Sequence, residues 1–234
     1  MSSSQSLRRV RAVVFDAVGT LIHPDPPAPL RYAEVGKRYG SRLSAAEIAD
    51  RFGAGFREEE EIDRLAGLRT SEEREINRWR HIVNRALDDV ADPEACFQEL
   101  FSWFSRPAAW QVEPETGTVL RELASRKLIL GIASNYDRRL YSVIEGKPEL
   151  APAAGVVVIS AEVGWRKPAA EFFEALCRAV SCPASEVLYV GDDRANDYDG
   201  ASRAGLRGLL FDPRERQTGT DVATIGDFRE LLSQ

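Results

Sequence analysis

A chain of 234 residues with 44% hydrophobic content is long enough for one large globular domain, or for one domain carrying an insert. Its formal net charge of −6, with basic residues scattered and not striped, excludes nucleic acid as the main partner. No run approaches the roughly 18 consecutive apolar residues of a membrane span, and the opening MSSSQSLRRV has no apolar leader stretch, so the expectation is a cytoplasmic protein without a membrane partner. Cys96, Cys177 and Cys182 form no CxxC pair, and His23 and His81 are too few for a His-rich metal site, so redox, zinc and Ser-His-Asp chemistry recede together.

Residues 11–15 (RAVVF) predict a short buried parallel strand that ends at Asp16. From about Leu30 to Phe104 the pattern is helical. Thr70-Ser71-Glu72-Glu73 fits a capping box, and Ile76, Trp79, Ile82, Val83, Ala86, Leu87 and Val90 recur at helical spacing, followed by a second stripe at Cys96, Phe97, Leu100, Phe101 and Phe104. These aromatics read as core. Beyond Pro114 strands and helices alternate: helix 115–125, strand 128–134, helix 137–145, strand 155–160, helix 168–180, strand 186–192, helix 196–204 and strand 207–211. Such alternation predicts an α/β fold, a doubly wound parallel sheet covered on both faces. The proline-rich joints HPDPPAP and RPAAWQVEP bracket the helical block. The expected division is therefore an α/β core of residues 8–24 and 108–234 with an all-helical insert at 25–107, free to move as a lid on two hinges.

The polar residues collect at the carboxyl ends of the predicted strands, where open parallel sheets bind ligands. Asp16 follows the first strand, Ser134 and Asn135 the second, Lys167 lies just past the third, and Asp192 and Asp193 follow the fourth, with Asn196 and Asp197 one turn on. Each has a dull reading as a cap or a solvated turn. Together, in one layer, they point to a site.

In order, DAVGT (16–20), SN (134–135), RKP (166–168) and GDDRAND (191–197), continued by GASRAGL (200–206), resemble the four motifs of the haloacid dehalogenase-like hydrolases. The helical insert resembles the cap that many members close over small substrates. The resemblance implies a Rossmann-like core and a hydrolase in which Asp16 attacks a small phosphorylated metabolite and forms an aspartyl-phosphate. It implies Mg²⁺ held by one Asp16 oxygen, the Val18 carbonyl and Asp192, with Asp197 supporting its water shell and Asp193 a further candidate for that role. Ser134, Asn135, Thr20 and the backbone around Val18 and Gly19 would hold the phosphoryl group, and Lys167 would balance the crowded negative charge. At about 4 Å and an effective dielectric of about 20, each uncompensated pair of like charges costs roughly 4 kcal/mol, so four aspartates and one lysine favour a divalent ion.

Position 18 departs from the family pattern. Phosphatases of this family carry a second aspartate two residues after the nucleophile, which protonates the departing alkoxide and then deprotonates the attacking water. Val18 does neither. The expectation is a Mg²⁺-dependent hydrolase whose leaving group needs little protonation, such as an acyl or aryl phosphate, or one that recruits another acid such as Asp193 or a cap residue. A dehalogenase or phosphonatase type is the alternative: the former resembles DAYGT and needs no metal, while the latter uses a cap lysine, for which only Lys37 is present in the insert. The remaining alternative is a homologue that binds a phospho-ligand or a protein and turns nothing over. Arg31, Tyr32, Arg57 and Trp79 are the candidates for facing the substrate, Arg31 first.

Overall fold

The computed structural model describes residues 9–215 and 222–233; the leader reading of the first residues and the outermost parts of the expected core fall outside them. Strand β1 (Ala12–Phe15) is buried along its whole length. A connection through β2 (Ile22–Pro24) leads into four helices, α1 (Ala28–Arg38), α2 (Ala45–Leu65), α3 (Glu72–Ala86) and α4 (Pro93–Trp103), and the chain returns through β3 (Trp110–Val112). Then follow α5 (Thr116–Ser125), β4 (Ile129–Ser134), α6 (Arg139–Glu145), β5 (Val157–Ile159), α7 (Ser160–Val163), α8 (Ala170–Val180) and β6 (Val187–Gly191). A π-helical turn over Arg194–Asp199, α9 (Gly200–Arg203), β7 (Arg207–Phe211) and β8 (Thr224–Ile225) complete the described elements, apart from short 3₁₀ turns.

The large sheet has the strand order β5-β4-β1-β6-β7-β8, and every pairing within it is parallel. β1 lies between β4 and β6, which explains its unbroken β-branched and aromatic run: both faces are covered. Alternate side chains go to opposite layers. Val13 and Phe15 join one core with Leu120, Leu123, Leu140 and Ile144, from α5 and α6. Ala12 and Val14 join the other, with Phe172, Phe173, Leu176 and Tyr189. Because β1 leads on one side to β4 and on the other to β6, the end of β1 is the topological switch point of the sheet, where a crevice opens. Asp16 stands there.

The four helices share a core of their own, with Tyr32, Val35, Ile48, Val83, Leu87, Phe97 and Leu100 buried together. Sequence signals start them: Ser44 and Glu47 form a reciprocal capping box on α2, and Asp92 accepts from the Ala95 amide to cap α4. On α3 the cap falls one residue later than the sequence pattern suggested. Ser71 accepts from the Arg74 amide, whereas the Thr70 hydroxyl donates to Glu75, so no reciprocal box forms.

Two features were hidden in the sequence. The joints expected as separate hinges pair with each other, β2 against β3 antiparallel, with Ile22 opposite Val112 and Pro24 opposite Trp110. A proline in a three-residue run conceals a strand, since proline is tolerated only at edges. The helix expected at 196–204 begins earlier, as the π-helical turn at Arg194, because the Asp193 carboxylate accepts the Ala195 and Asn196 amides and starts the turn there.

Candidate active site

Asp16 leaves β1 and enters a tight turn in which the Leu21 and Ile22 amides donate to the Ala17 carbonyl at 2.8 and 2.9 Å. Gly19 takes a φ of +93°, and a Cβ there would stand 2.5 Å from Asp192 Oδ2, so this position requires glycine for both conformation and space. The Lys167 ammonium reaches into the crevice and donates to Asp16 Oδ1 at 2.7 Å, to Asp197 Oδ1 at 2.6 Å and to the Tyr189 hydroxyl at 2.9 Å. Tyr189 in turn donates to the Ala133 carbonyl at 2.6 Å. Three strand ends thus converge on one ammonium. Asp192 accepts from the Thr20 hydroxyl at 3.1 Å, and the Asp197 carboxylate also accepts the Asp193 amide at 3.0 Å.

The carboxylates of Asp16, Asp192 and Asp197 each offer an oxygen within 4.8 Å of the others. Three carboxylates against one ammonium leave two negative charges uncompensated in a site where Asp16, Asp197 and Lys167 are all buried. The consequences show in protonation. Burial, and then the neighbouring Asp16, push the Asp192 carboxyl up to about 6. Asp197 is raised too, by burial, with Lys167 opposing it. Burial pulls the Lys167 ammonium down, but Asp16 and Asp197 outweigh it and hold it well above the usual lysine value. Hard oxygen donors, close spacing and a charge deficit of two are the conditions a divalent cation such as Mg²⁺ meets.

The other expected residues divide. Ser134, at the end of β4, is 2% exposed, lines the cavity and has no hydrogen-bond partner among the described residues. Its hydroxyl is thus ready for a ligand. Asn135 lines the cavity too, but its amide is committed to the Lys167 backbone, accepting from the amide at 2.7 Å and donating to the carbonyl at 3.1 Å. Thr20 is fully buried and aims its hydroxyl at Asp192, while the Gly19 amide donates to the Ile22 carbonyl at 2.9 Å, so both support the floor and neither faces a ligand. Val18 lines the cavity, half-buried, with its amide outside the hydrogen bonds of the turn. Asp193 is exposed at the rim, with three donors from Ala195 and Asn196 on its oxygens. The floor opens into a cavity of about 380 Å³ roofed by α1, α2 and α3, a volume suited to a small molecule.

The sequence profile of the haloacid dehalogenase-like hydrolases matches residues 10–205. The chain belongs to that family. Haloacid dehalogenase-like hydrolase domain-containing protein 3 of Mus musculus is 30% identical over 209 residues, covering 86% of this chain and 82% of its own. A ribulose-1,5-bisphosphate 5-phosphatase of Halopiger xanaduensis is 26% identical over 240 residues, covering 95% and 99%. The solved structure of the L-2-haloacid dehalogenase RSc1362 superposes with a TM-score of 0.75 at 22% identity, covering 96% and 97%, which shows a shared fold. No helix among the described residues is long and apolar enough to cross a membrane.

Reading the chain as a haloacid dehalogenase-like hydrolase left three sets of residues unseen. Tyr189 is one, a single phenol in a buried strand that anchors Lys167. Much of the aromatic roof is another, Phe52, Phe104, Trp110 and Tyr136; of the four candidates for facing the substrate, Tyr32 and Trp79 line the cavity, whereas Arg31 stacks on Trp103 at 3.7 Å and Arg57 is exposed. The last is a buried ion-pair network. Arg166, beside Lys167, pairs with Glu75 and with Asp63 at 3.3 Å, and Asp63 also binds Arg78 and, at 2.7 Å, Arg74. Together with the Arg166 amide bonded to the Leu68 carbonyl at 2.9 Å, this network fastens α2 and α3 to the floor. Helical spacing puts Glu75 one turn before Trp79 on the apolar stripe and Arg78 at its edge, but nothing in one sequence says that these charges are buried and paired. Glu75→Ala is expected to destabilise the protein by about 3 kcal/mol, since it strips a buried arginine of a partner and orphans the Thr70 hydroxyl; urea unfolding measures it.

Proposed function

We propose that the protein is a Mg²⁺-dependent phosphomonoester hydrolase that uses Asp16 as nucleophile on substrates whose leaving group needs little protonation. The observation that carries this reading is the floor itself, three converging carboxylates with a single ammonium. A metal-free dehalogenase has no use for that surplus negative charge, and a binding scaffold has no reason to bury it.

Asp16, Asp192 and Asp197 fit a Mg²⁺ ion, which when bound supplies charge neutralisation for nucleophile and phosphoryl oxygens. The rest falls to the chain. Lys167 pins Asp16 Oδ1 and leaves Oδ2 without a hydrogen bond among the described residues, so Oδ2 is the attacking atom. The Ser134 hydroxyl and the Val18 amide donate to the transferring phosphoryl group. Water then hydrolyses the aspartyl-phosphate and restores the carboxylate. Residues 25–107 act as the cap over a core of 8–24 and 108–234, and the β2–β3 pairing serves as one two-stranded hinge in place of two independent ones.

Phosphate release from 4-nitrophenyl phosphate is expected to require Mg²⁺ and to stop with EDTA; chloride release from 2-chloropropionate in EDTA would replace this reading with the dehalogenase one. Across a series of substituted phenyl phosphates the rate should fall steeply as leaving-group pKa rises, because no acid flattens the dependence. Glu60 is the control. It lines the cavity, burial raises its pKa, and no described residue bonds it, whereas Glu75 is held by Arg166 and Thr70. A shallow dependence that steepens in Glu60→Gln would give Glu60 the acid's role.

A further inference from the structure

Above the charged floor the cavity is walled by rings: Tyr32, Phe52, Trp79 and Phe104 from the helical side, and Trp110 and Tyr136 from the other. They brace each other. Tyr32 meets Phe52 edge-on at 5.4 Å, and Trp110 bridges Phe104 at 5.7 Å and Tyr136 at 6.2 Å, so the rings of the two sides form one contiguous wall. Two of its polar groups are already satisfied: the Trp110 indole donates to the Phe104 carbonyl at 3.1 Å, and the Tyr136 hydroxyl donates to the same oxygen at 3.3 Å. The Trp79 indole, the Glu60 carboxylate and the Tyr32 hydroxyl bond no described residue, and of these three residues Tyr32 is the most buried. Tyr32 is only 2% exposed, yet its hydroxyl bonds no described residue and, unlike Arg78 Nη2, is not sealed from the cavity. A buried hydroxyl with no partner is a donor that a ligand atom can satisfy.

Resting on the phosphomonoesterase reading, we propose that the substrate is the phosphate ester of a flat aromatic alcohol, whose ring fills this chamber and carries an acceptor bound by the Tyr32 hydroxyl. Two independent features select this class. The ring-lined walls bury an aromatic body favourably, whereas a sugar or polyol would set more hydroxyls against ring faces than Glu60, Trp79 and Tyr32 can satisfy. Val18 provides no proton, and a phenol, titrating near 10 as tyrosine does, departs as an anion far more readily than an aliphatic alcohol. A cationic body is disfavoured, because the Arg139 guanidinium itself lines the cavity, 5.4 Å over the Tyr136 ring and 5.8 Å over the Trp79 ring. In the reaction Asp16 Oδ2 bonds to phosphorus, the bond from phosphorus to the aryl oxygen breaks, and the electron pair leaves on the phenolate. Water then cleaves the aspartyl-phosphate to inorganic phosphate and the free carboxylate.

The test uses phosphonates that cannot turn over, as competitive inhibitors of 4-nitrophenyl phosphate hydrolysis with Mg²⁺ present. Benzylphosphonate is expected to bind about 10- to 100-fold tighter than methylphosphonate, the scale set by burying one ring. Among benzylphosphonates with an acetyl group at the 2-, 3- or 4-position, at least one should gain about a further tenfold, and Tyr32→Phe, which keeps the ring, should remove that gain. Equal affinity for benzyl and methyl, or a gain that survives in Tyr32→Phe, overturns the assignment. If Asp16-dependent turnover is present in that case, only the substrate class falls. If Mg²⁺ supports no turnover at all, the hydrolase reading falls and takes this one with it.

Discussion

Asp16→Asn should reduce phosphate release by about 10⁴-fold or more, the scale seen when a nucleophile is removed and only binding and electrostatics remain. The amide is nearly isosteric with the carboxylate, so the effect is chemical and not structural. Lys167 keeps Asp197 at 2.6 Å and Tyr189 at 2.9 Å and can still donate to the amide oxygen at position 16, and the lost ion pair is offset by relief of the repulsion that Asp16 exerts on Asp192. The thermal midpoint should therefore stay within a few degrees of wild type. Acid-quenched wild-type enzyme, sampled during turnover, should show a mass increase of one phosphoryl group on the peptide containing Asp16, and the variant none. A variant retaining a tenth of the rate, or a phosphoryl group carried elsewhere, would remove Asp16 from the role assigned to it.

The fold was legible because its signals are local. A fully apolar four-residue strand, the alternation of strands with amphipathic helices, and glycine next to aspartate at strand ends are all written in short stretches, and together they place Asp16, Ser134, Lys167, Asp192 and Asp197 on one side of a parallel sheet. What sequence cannot express is which polar groups meet across long separations. Tyr189 lies 22 positions from Lys167 and Glu75 lies 91 from Arg166, and no periodicity links either pair. The roof was read only in part, for the opposite reason: Tyr32 and Trp79 stand among the substrate-facing candidates, but Phe104 reads as core alone. Tyr32, Trp79 and Phe104 carry helical spacing typical of core, and they do touch the helical core, but each also presents an edge to the cavity. Spacing reports that a residue is turned inward, not whether protein or ligand waits there. Thr20 and Asn135 show the same limit, since both sit within recognisable motifs yet direct their side chains to Asp192 and to the Lys167 backbone.

Val18→Asp should raise the rate on alkyl phosphates by about 10²- to 10⁴-fold, the usual worth of positioned acid-base assistance, and flatten the dependence on leaving-group pKa. Val18 lines the same cavity as Asp16, so a carboxyl at that position can reach the departing oxygen. Phenyl phosphates with strongly acidic leaving groups should gain little, since they need no proton, and the contrast between the two substrate sets distinguishes acid catalysis from a general improvement in folding or metal binding. The substitution also carries a cost. A fourth carboxylate joins Asp16, Asp192 and Asp197, and at about 4 Å with an effective dielectric near 20 each like-charge pair is worth roughly 4 kcal/mol before any cation offsets it. Metal-free Val18→Asp should therefore melt below metal-free wild type, and added Mg²⁺ should narrow that gap. If the variant gains nothing on alkyl phosphates while its stability responds to Mg²⁺ as described, the proton already comes from another group, and Glu60 is the carboxyl in the cavity lining left free to supply it.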